Sequence, residues 1–318
     1  MLFVKRYLFV FFITFVLKTQ AQDALFTSNQ QSLLYLNPSF AGSNGFMRYQ
    51  SLYRNQWPNL SSQFVTYYSS FDAYLKPLKA GVGLSVSADD QERGTLQNKR
   101  IDLTYAQHFE LLDKKLKIVP SFQVSYLEEN LDRTKLNFGD QINARYGIYW
   151  TQNSSTQFPS GPNQKKVNVD FSTGLLINYK HFYFGSTVFH SNQPDIGLMG
   201  SFKLPYRLSM FTSYNMFIGE KNLLNFLVRI ENQQQFTYSQ ISINALLIKH
   251  LIIGFGFKTS NSLNAAIGYR NNFFAITGVY DYDKSKLSGS NAGSYELTAS
   301  FNLRPKEQRK TLTDFEKW

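Results

Sequence analysis

The side chains that could do chemistry in this 318-residue chain are few and scattered. Asp89 and Asp90 are adjacent, and His190 lies much later in the chain. Paired carboxylates and a histidine could activate water for hydrolysis, since catalysis needs a nucleophile or base beside an orienting partner. The segment from Asp89 to Gly94 is also ordinary polar hairpin sequence. We therefore predict no enzyme, and a hydrolase built on these three residues is the weakest alternative function.

The residue types and their spacing do not indicate a metal-binding or cofactor-binding site. His108, His181 and His250 stand far apart and lack the spacing of metal ligands. The chain has no Cys, which excludes a disulfide scaffold, a thiolate metal site and a cysteine nucleophile. There is no glycine-rich phosphate loop and no cofactor signature. The sequence predicts no catalytic, metal-binding or cofactor-binding residue.

Alternation of apolar and polar side chains is the dominant pattern after residue 45. In the last such run, from Tyr295 to Leu303, the odd-numbered residues are apolar and the even-numbered ones are Glu296, Thr298, Ser300 and Asn302. Successive strand side chains face opposite sides, so one face of this strand suits lipid and the other suits a wet interior. The pattern predicts an all-β, transmembrane outer-membrane β-barrel with antiparallel strands.

The same pattern predicts fourteen strands, separated by turn signals. Their predicted spans are Phe46 to Gln56, Gln63 to Tyr74, Gly81 to Ala88, Thr95 to Phe109, Leu116 to Glu128, Val167 to Tyr179, Phe182 to His190, Leu204 to Phe217, Leu223 to Asn232, Phe236 to Ile248, Leu251 to Thr259, Ser262 to Arg270, Phe273 to Tyr282 and Tyr295 to Leu303. If the first strand rises from the periplasm, every even-numbered connection is short and all the long loops are extracellular. This asymmetry is typical of outer-membrane barrels.

The first 21 residues have the pattern of an export signal. Lys5 and Arg6 precede an apolar run from Tyr7 to Leu17, and small residues precede Gln22. This predicts a cleavable signal peptide over 1–21, because the apolar run is shorter than the roughly twenty residues of a spanning helix. A membrane anchor is the alternative. Export followed by barrel insertion predicts the cell outer membrane of a Gram-negative bacterium, with membrane lipid as the first partner.

The charge of the chain is basic but dispersed. The net charge of +11 falls when Lys5, Arg6 and Lys18 leave with the signal peptide. The remaining Lys and Arg are spread over turns and a basic tail, 304–318, which we expect in the periplasm. A nucleic-acid groove would need clustered basic residues with stacking aromatics, so no nucleic-acid partner is predicted.

Two segments have enough mass to occupy the wide lumen that fourteen strands leave. We predict residues 22–45 to be an N-terminal periplasmic or plug segment that precedes the barrel at 46–303. The loop from Asn130 to Lys166 is the second candidate. It carries the aromatic residues Tyr146, Tyr149, Trp150 and Phe158, which we predict to bind a partner, since aromatic anchors are favoured at interfaces. The alternative for both segments is simple closure of the barrel.

Three short motifs resemble the PorP/SprF family of the bacteroidete type IX secretion system. They are Leu36 to Gly42, with the sequence LNPSFAG; Leu52 to Pro58, with LYRNQWP; and Gly81 to Val86, with GVGLSV. The motif residues that we single out are Asn37, Pro38, Ala41, Gly42, Tyr53, Arg54, Gln56 and Trp57. On physical grounds, Pro38 and Gly42 should shape a turn, Arg54 should be paired inside the lumen, and Trp57 should lie in an aromatic belt.

The resemblance implies a non-enzymatic role in type IX secretion and gliding motility. Family members either join the motor and ring apparatus or hold a secreted adhesin at the surface through its C-terminal domain. The resemblance thus implies a secreted surface protein, or motor and ring components, as partners. The alternative function is a passive or ligand-specific outer-membrane channel, which barrel size alone suggests.

Overall fold

A computed structural model of the chain describes residues 23–28, 32–60, 63–136, 142–143, 147–148, 163–198, 200–284 and 292–303. Fourteen strands form one sheet within these residues. They are β1 (Met47–Gln56), β2 (Phe64–Leu75), β3 (Ala80–Gln91), β4 (Leu96–Gln107, continued after His108 by Phe109–Leu111), β5 (Leu116–Asp132), β6 (Asn163–Tyr179), β7 (Phe182–Phe189), β8 (Arg207–Ile218), β9 (Asn222–Gln233), β10 (Phe236–Leu247), β11 (Leu251–Lys258), β12 (Ser262–Arg270), β13 (Phe274–Asp283) and β14 (Ser294–Leu303). Two further two-residue strands, Ile142–Asn143 and Gly147–Ile148, pair with each other.

The sheet closes on itself. Every strand pairs antiparallel with its sequence neighbours, and β14 pairs with β1 from Met47 opposite Leu303 to Gln56 opposite Ser294. Closure leaves no free edge, which is the condition for strands to cross a bilayer. The predicted fourteen-stranded antiparallel outer-membrane barrel is confirmed.

The predicted faces of the last strand are also confirmed. Leu297 and Phe301 are 56% and 43% exposed on the outside of the wall, whereas Glu296 and Thr298 are 3% and 0% exposed on the inside. Large apolar side chains on the outer face recur around the sheet, which is the surface that lipid covers. Burial of the inward polar side chains indicates that the lumen is filled by protein atoms.

The strands beside the long loop extend further than predicted. β5 continues past Glu128 to Asp132, and β6 begins at Asn163 rather than Val167. The added residues on the outer face, Asn130, Asp132 and Lys165, are polar, so apolar alternation cannot reveal them. Lys165 Nζ lies 2.8 Å from a Glu128 carboxylate oxygen across these two strands. The extension therefore stands above the lipid-facing band, where the outer face no longer needs apolar side chains.

Residues before β1 form a separate folded segment. It contains a one-turn helix, α1 (Leu33–Leu36), and a 3₁₀ turn over Pro38–Phe40 that begins at Asn37, whose side-chain oxygen accepts a hydrogen bond from the Ser39 amide. Gly42 then has a φ of +65°, which glycine adopts without strain. The predicted turn at Pro38 and Gly42 is confirmed. No helix in the described ranges is long and apolar enough to cross a membrane.

The alternation of β14 gives a direct test of the wall. We expect single cysteines at Leu297, Ala299 and Phe301 to carry spin labels that a lipid-soluble relaxation agent reaches. Labels at Glu296, Thr298 and Ser300 should be shielded from that agent, because a one-residue shift moves a side chain to the other face. Equal accessibility of the two sets would contradict the barrel.

Candidate functional site

The segment before β1 runs through the barrel from one end to the other. Asp23 contacts His190 and Arg207, which stand at the extracellular ends of β7 and β8. At the other end, the Ala41 carbonyl lies 2.9 Å from His108 Nε2, beside the periplasmic end of β4. Residues 23–46, of which 29–31 lie outside the description, are called the inner segment below. Its first described residue is therefore at the outer end of the lumen.

An apolar patch on the inner face of the wall receives the middle of the inner segment. Leu33, Leu34, Leu36 and Phe40 are at most 3% exposed. They form one buried cluster with wall residues from β4 to β9, namely Ala106, Val119, Leu176, Tyr183, Phe211 and Leu227. Full burial of a Leu or Phe side chain stabilises by about 1.5–3 kcal/mol. Water in an unoccupied lumen would wet this patch, so the wall is built to be covered.

Aromatic packing holds the start of the inner segment against β1 and β2. The rings of Phe26 and Tyr35 lie 4.6 Å apart edge to face, and both pack on Tyr68 at 5.9 and 5.5 Å. Leu52 completes this buried cluster. Edge-to-face aromatic pairs add about 0.5–1.5 kcal/mol to the burial of their area. The segment is therefore packed on opposite sides of the lumen.

Buried charges make the most extensive contacts between the inner segment and the wall. Arg54 of β1 pairs with Glu296 of β14 and with Asp281 of β13, the latter at 2.9 Å. Lys258 Nζ of β11 lies 2.7 Å from the same Asp281 carboxylate. Thr27 enters this group: its hydroxyl donates to Asp281 at 2.7 Å and its amide donates to Glu296 at 2.7 Å. Arg54 is thus inside the lumen and paired, as the sequence predicted.

A second charged group ties Asp23 to the extracellular end. His190 donates from Nε2 to Asp23 and from Nδ1 to Asp170 of β6, each at 2.8 Å. Arg207 Nε lies 3.1 Å from Asp23, and its guanidinium stacks 4.2 Å from the Phe189 ring. The Asp23 carboxylate is therefore held by two cationic groups from two strands.

These contacts shift the pKa values of Asp23 and His190 in opposite directions. Burial would lower the pKa of the His190 ring, but Asp23 and Asp170 outweigh it and raise the pKa. Burial would likewise raise the pKa of Asp23, yet His190 and Arg207 hold it well below the usual range. Stabilisation by His190 is lost as pH rises through its raised pKa, and that by Asp23 is lost as pH falls through its lowered pKa. The pairing of Asp23 with His190 is strongest between those limits.

At the periplasmic end, an arginine and an aspartate fix the exit of the inner segment. Arg48 of β1 makes a two-pronged pair with Asp72 of β2 at 2.8 and 3.1 Å. The same Asp72 accepts a hydrogen bond from the Gly42 amide at 2.8 Å, and Arg48 donates to the Phe40 carbonyl at 3.2 Å. Asn37 donates to the carbonyls of Leu175 and Ser186 in the opposite wall. Backbone turns of the segment are thereby bonded to strands on both sides.

Close backbone approach explains the glycine at the start of β3. A Cβ atom built on Gly81 would lie 1.9 Å from the Ala41 carbonyl oxygen and 2.8 Å from the Gly42 nitrogen. No other residue type fits there unless the inner segment moves. Two of the three motifs thus meet, Ala41 and Gly42 from the first and Gly81 from the third.

The remaining motif residues lie near the outer ends of the wall. Tyr53 packs on Tyr67 with ring centroids 5.3 Å apart, and the Trp57 indole nitrogen donates to Asp283 at 2.8 Å. Gln56 ends β1 opposite Ser294. The predicted partner-binding residues Tyr146, Tyr149, Trp150 and Phe158 lie outside the described residues, so their role stays a prediction.

The candidate hydrolytic residues are not arranged as a catalytic group. Asp89 and His190 line one cavity of about 90 Å³ at the extracellular end, which opens to solvent. Both ring nitrogens of His190 bond to carboxylates, while Asp89 accepts from Thr66 and Gln91. Asp90 does not line that cavity. In the described ranges, no three His, Cys, Asp or Glu residues are placed to hold a metal ion.

Sequence reasoning missed most of the buried charges. Four charged residues, and the threonine that bonds to one of them, were not singled out in the sequence: Asp170, Arg207, Lys258, Asp281 and Thr27. The inward position of the strand residues could be predicted, since a charge on the polar face of an alternating strand must point inward. Their pairing could not be predicted, because it joins residues hundreds of positions apart, such as Thr27 and Asp281.

The periplasmic rim carries much of the positive charge. Five of the six short turns contain an exposed lysine, and Arg270 flanks the sixth. The exposed lysines are Lys76, Lys79, Lys114, Lys115, Lys180, Lys221 and Lys249. Asp113 and Glu220 are the only acidic residues in these turns. The turn charges that look dispersed in the sequence are therefore gathered at one end of the barrel.

Replacing Gly81 should loosen the inner segment selectively. We expect Gly81→Val to displace Ala41 and Gly42 and to lower stability by about 1–3 kcal/mol, the usual cost of overpacking. Heat-modifiable gel mobility and limited proteolysis of the N-terminus measure this. Gly278→Val is the matched control, because a Cβ there meets no atom within 4 Å. Equal behaviour of the two variants would contradict the close contact.

Known proteins give one family and several structural neighbours. The sequence matches the family model "Type IX secretion system membrane protein PorP/SprF" over residues 18–301, whereas no curated protein matches it. Omp33 of Acinetobacter baumannii is 9% identical with a TM-score of 0.46, covering 81% of this chain and 98% of that one. The CymD monoaromatic hydrocarbon channel is 11% identical with a TM-score of 0.49, covering 89% and 95%. The family match spans most of the sequence, so the chain belongs to the PorP/SprF family of type IX secretion system membrane proteins.

Proposed function

We propose that this outer-membrane barrel is a non-enzymatic anchor of the type IX secretion and gliding system. It holds a secreted, adhesin-like partner at the cell surface through that partner's C-terminal domain. The observation that carries the proposal is the inner segment, which occupies the lumen from the His190 end to the His108 end. A barrel filled by its own chain suits a scaffold better than a pore.

The contacts of the inner segment favour a permanent filling. Its apolar side chains are buried on the wall, and Thr27 and Asp23 complete two buried charged groups. Removing one partner of a buried ion pair typically costs about 3–5 kcal/mol, because the other charge stays unpaired. Spontaneous withdrawal would break several such contacts together. A passive channel, the alternative function, would need a lumen that is open at rest.

Conductance separates the anchor from the channel. In planar bilayers we expect the wild-type protein to show little or no steady conductance. Deletion of residues 23–40 should open stable pores, because water then takes the place of the inner segment in the lumen. Leu34→Asp, which places a charge in the buried apolar cluster, should give intermittent openings without shortening the chain.

Large, stable pores from the wild-type protein would contradict the occlusion and favour the channel. The control is Leu297→Asn, which changes the lipid-facing side of the wall and leaves the lumen untouched. Each preparation is first checked for heat-modifiable mobility, so that only folded barrels are compared.

The extracellular loops are the proposed docking surface. They are the loop after β5, the loop from Ser191 to Lys203 and the loop from Asp283 to Ser294. In the second of these, Ile196 packs with Leu127 of β5 and with Leu204, which follows the loop, and Asp195 pairs with Lys166 of β6 at 2.9 Å. This loop is thus fastened to the wall, as a rigid binding surface requires. The aromatic residues of the first loop supply the proposed anchors.

Loss of two aromatic anchors should release the partner. We expect Tyr149→Ala with Trp150→Ala to shift the partner from the cell surface to the medium, while barrel folding stays normal. Immunoblots of cells and medium measure the shift. The control removes two aromatic residues from the opposite rim, Tyr269→Ala with Phe273→Ala. A partner that stays on the surface, even after the whole loop is trimmed, would contradict docking there.

Contact with motor or ring components is the second proposed role, favoured by the basic periplasmic rim. Exposed lysines in five turns surround the barrel mouth and complement an acidic surface. Electrostatic complementarity of this kind steers association and fixes orientation. Each partner would then engage a different end of the barrel.

Charge reversal should show which rim of the barrel binds the periplasmic components. We expect Lys114→Glu with Lys115→Glu to weaken co-purification of periplasmic components from native membranes, and added salt to have the same effect on the wild type. Lys203→Glu with Lys284→Glu is the control at the extracellular rim. If both double variants retain the components equally, the basic rim is not their contact.

A further inference from the structure

The inner segment enters the lumen at its outer end, where Asp23 lies. Asp23 bonds to His190 at the end of β7 and lies 3.1 Å from Arg207 at the start of β8. Its amide also approaches Gln233, the last residue of β9, at 3.5 Å. These three positions are extracellular strand ends, reached from the short periplasmic turns by going up each strand. The sequence predicted a periplasmic or plug segment over 22–45, and Asp23 of that segment stands at the outer mouth.

Asp23 is next in sequence to the predicted mature N-terminus. Cleavage before Gln22 leaves a single residue ahead of Asp23, and consecutive Cα atoms are about 3.8 Å apart. Cleavage of the export signal before Gln22 would therefore create the new chain end at the outer mouth. The paired Thr27 and the cluster of Phe26 with Tyr68 prevent the segment from turning back towards the periplasm.

The outer mouth is open and has suitable chemistry for a chain end. The cavity of about 90 Å³ beside Asp23 opens to solvent and is lined by Asp89 and Glu129 as well. Among the described residues, neither of these two carboxylates is within ion-pair distance of a cation. An α-amino group is positively charged at neutral pH and complements them.

We propose that the mature N-terminus opens at the extracellular mouth of the barrel and forms part of its outer surface. A partner that reaches the mouth would meet this chain end beside the loop after β7. Signal removal must then precede seating of the inner segment, because the uncut signal would have to pass through the lumen. The proposal concerns topology and stands whether or not the barrel anchors an adhesin.

An epitope tag tests this topology in intact cells. A nine-residue tag is inserted between Gln22 and Asp23, and the same tag is placed after Leu303 as the control. We expect antibody to bind the N-terminal tag on intact cells and the C-terminal tag only after permeabilisation. An N-terminal tag that is reached only after permeabilisation, in a barrel with normal heat-modifiable mobility, would overturn the proposal.

A second variant decides the matter if the tagged protein does not fold. The chain has no Cys, so Ala24→Cys introduces a unique thiol that lines the outer cavity. A small membrane-impermeant thiol reagent should label it on intact cells, and should label Lys114→Cys, in a periplasmic turn, only after permeabilisation. Labelling of both thiols only after permeabilisation would overturn the proposal as well.

Discussion

Pairing of charges across the closing seam is the constraint on which the rest of the structure depends. Arg54 and Glu296 are opposite residues of β1 and β14, the pair of strands that closes the barrel. Both are buried, and an unpaired charge there would cost several kcal/mol. Glu296 also accepts the amides of Thr27 and Ser28. Closure of the wall and seating of the inner segment therefore satisfy the same carboxylate, so each stabilises the other.

Strand number imposes a second condition that the inner segment meets. Around eight strands can fill their interior with side chains, whereas fourteen leave a wide space. Here six of the fourteen strands turn buried apolar side chains inward to one cluster, including Leu176, Phe211 and Leu227. An inner face of this kind is stable only when covered, and Leu33 to Phe40 cover it. The inner segment thus explains why part of the inner face of this barrel is apolar rather than polar.

The sequence predicted the wall better than its contents, for physical reasons. Alternation is local, so all fourteen strands and the inward position of Arg54 could be derived from neighbouring residues. The extension of β5 to Asp132 was missed, because strands above the lipid band lose their apolar face. The partners of Arg54 and the position of Asp23 at the outer end of the lumen depend on contacts between distant residues, such as Asp23 with His190. No local pattern encodes such pairs.

Part of each motif that resembles the family lies where the inner segment touches the wall. Ala41 and Gly42 rest on Gly81, and Asn37 bonds to carbonyls of the opposite strands. Arg54 holds the group that Thr27 completes. Family resemblance is therefore carried by the filled scaffold rather than by the loops.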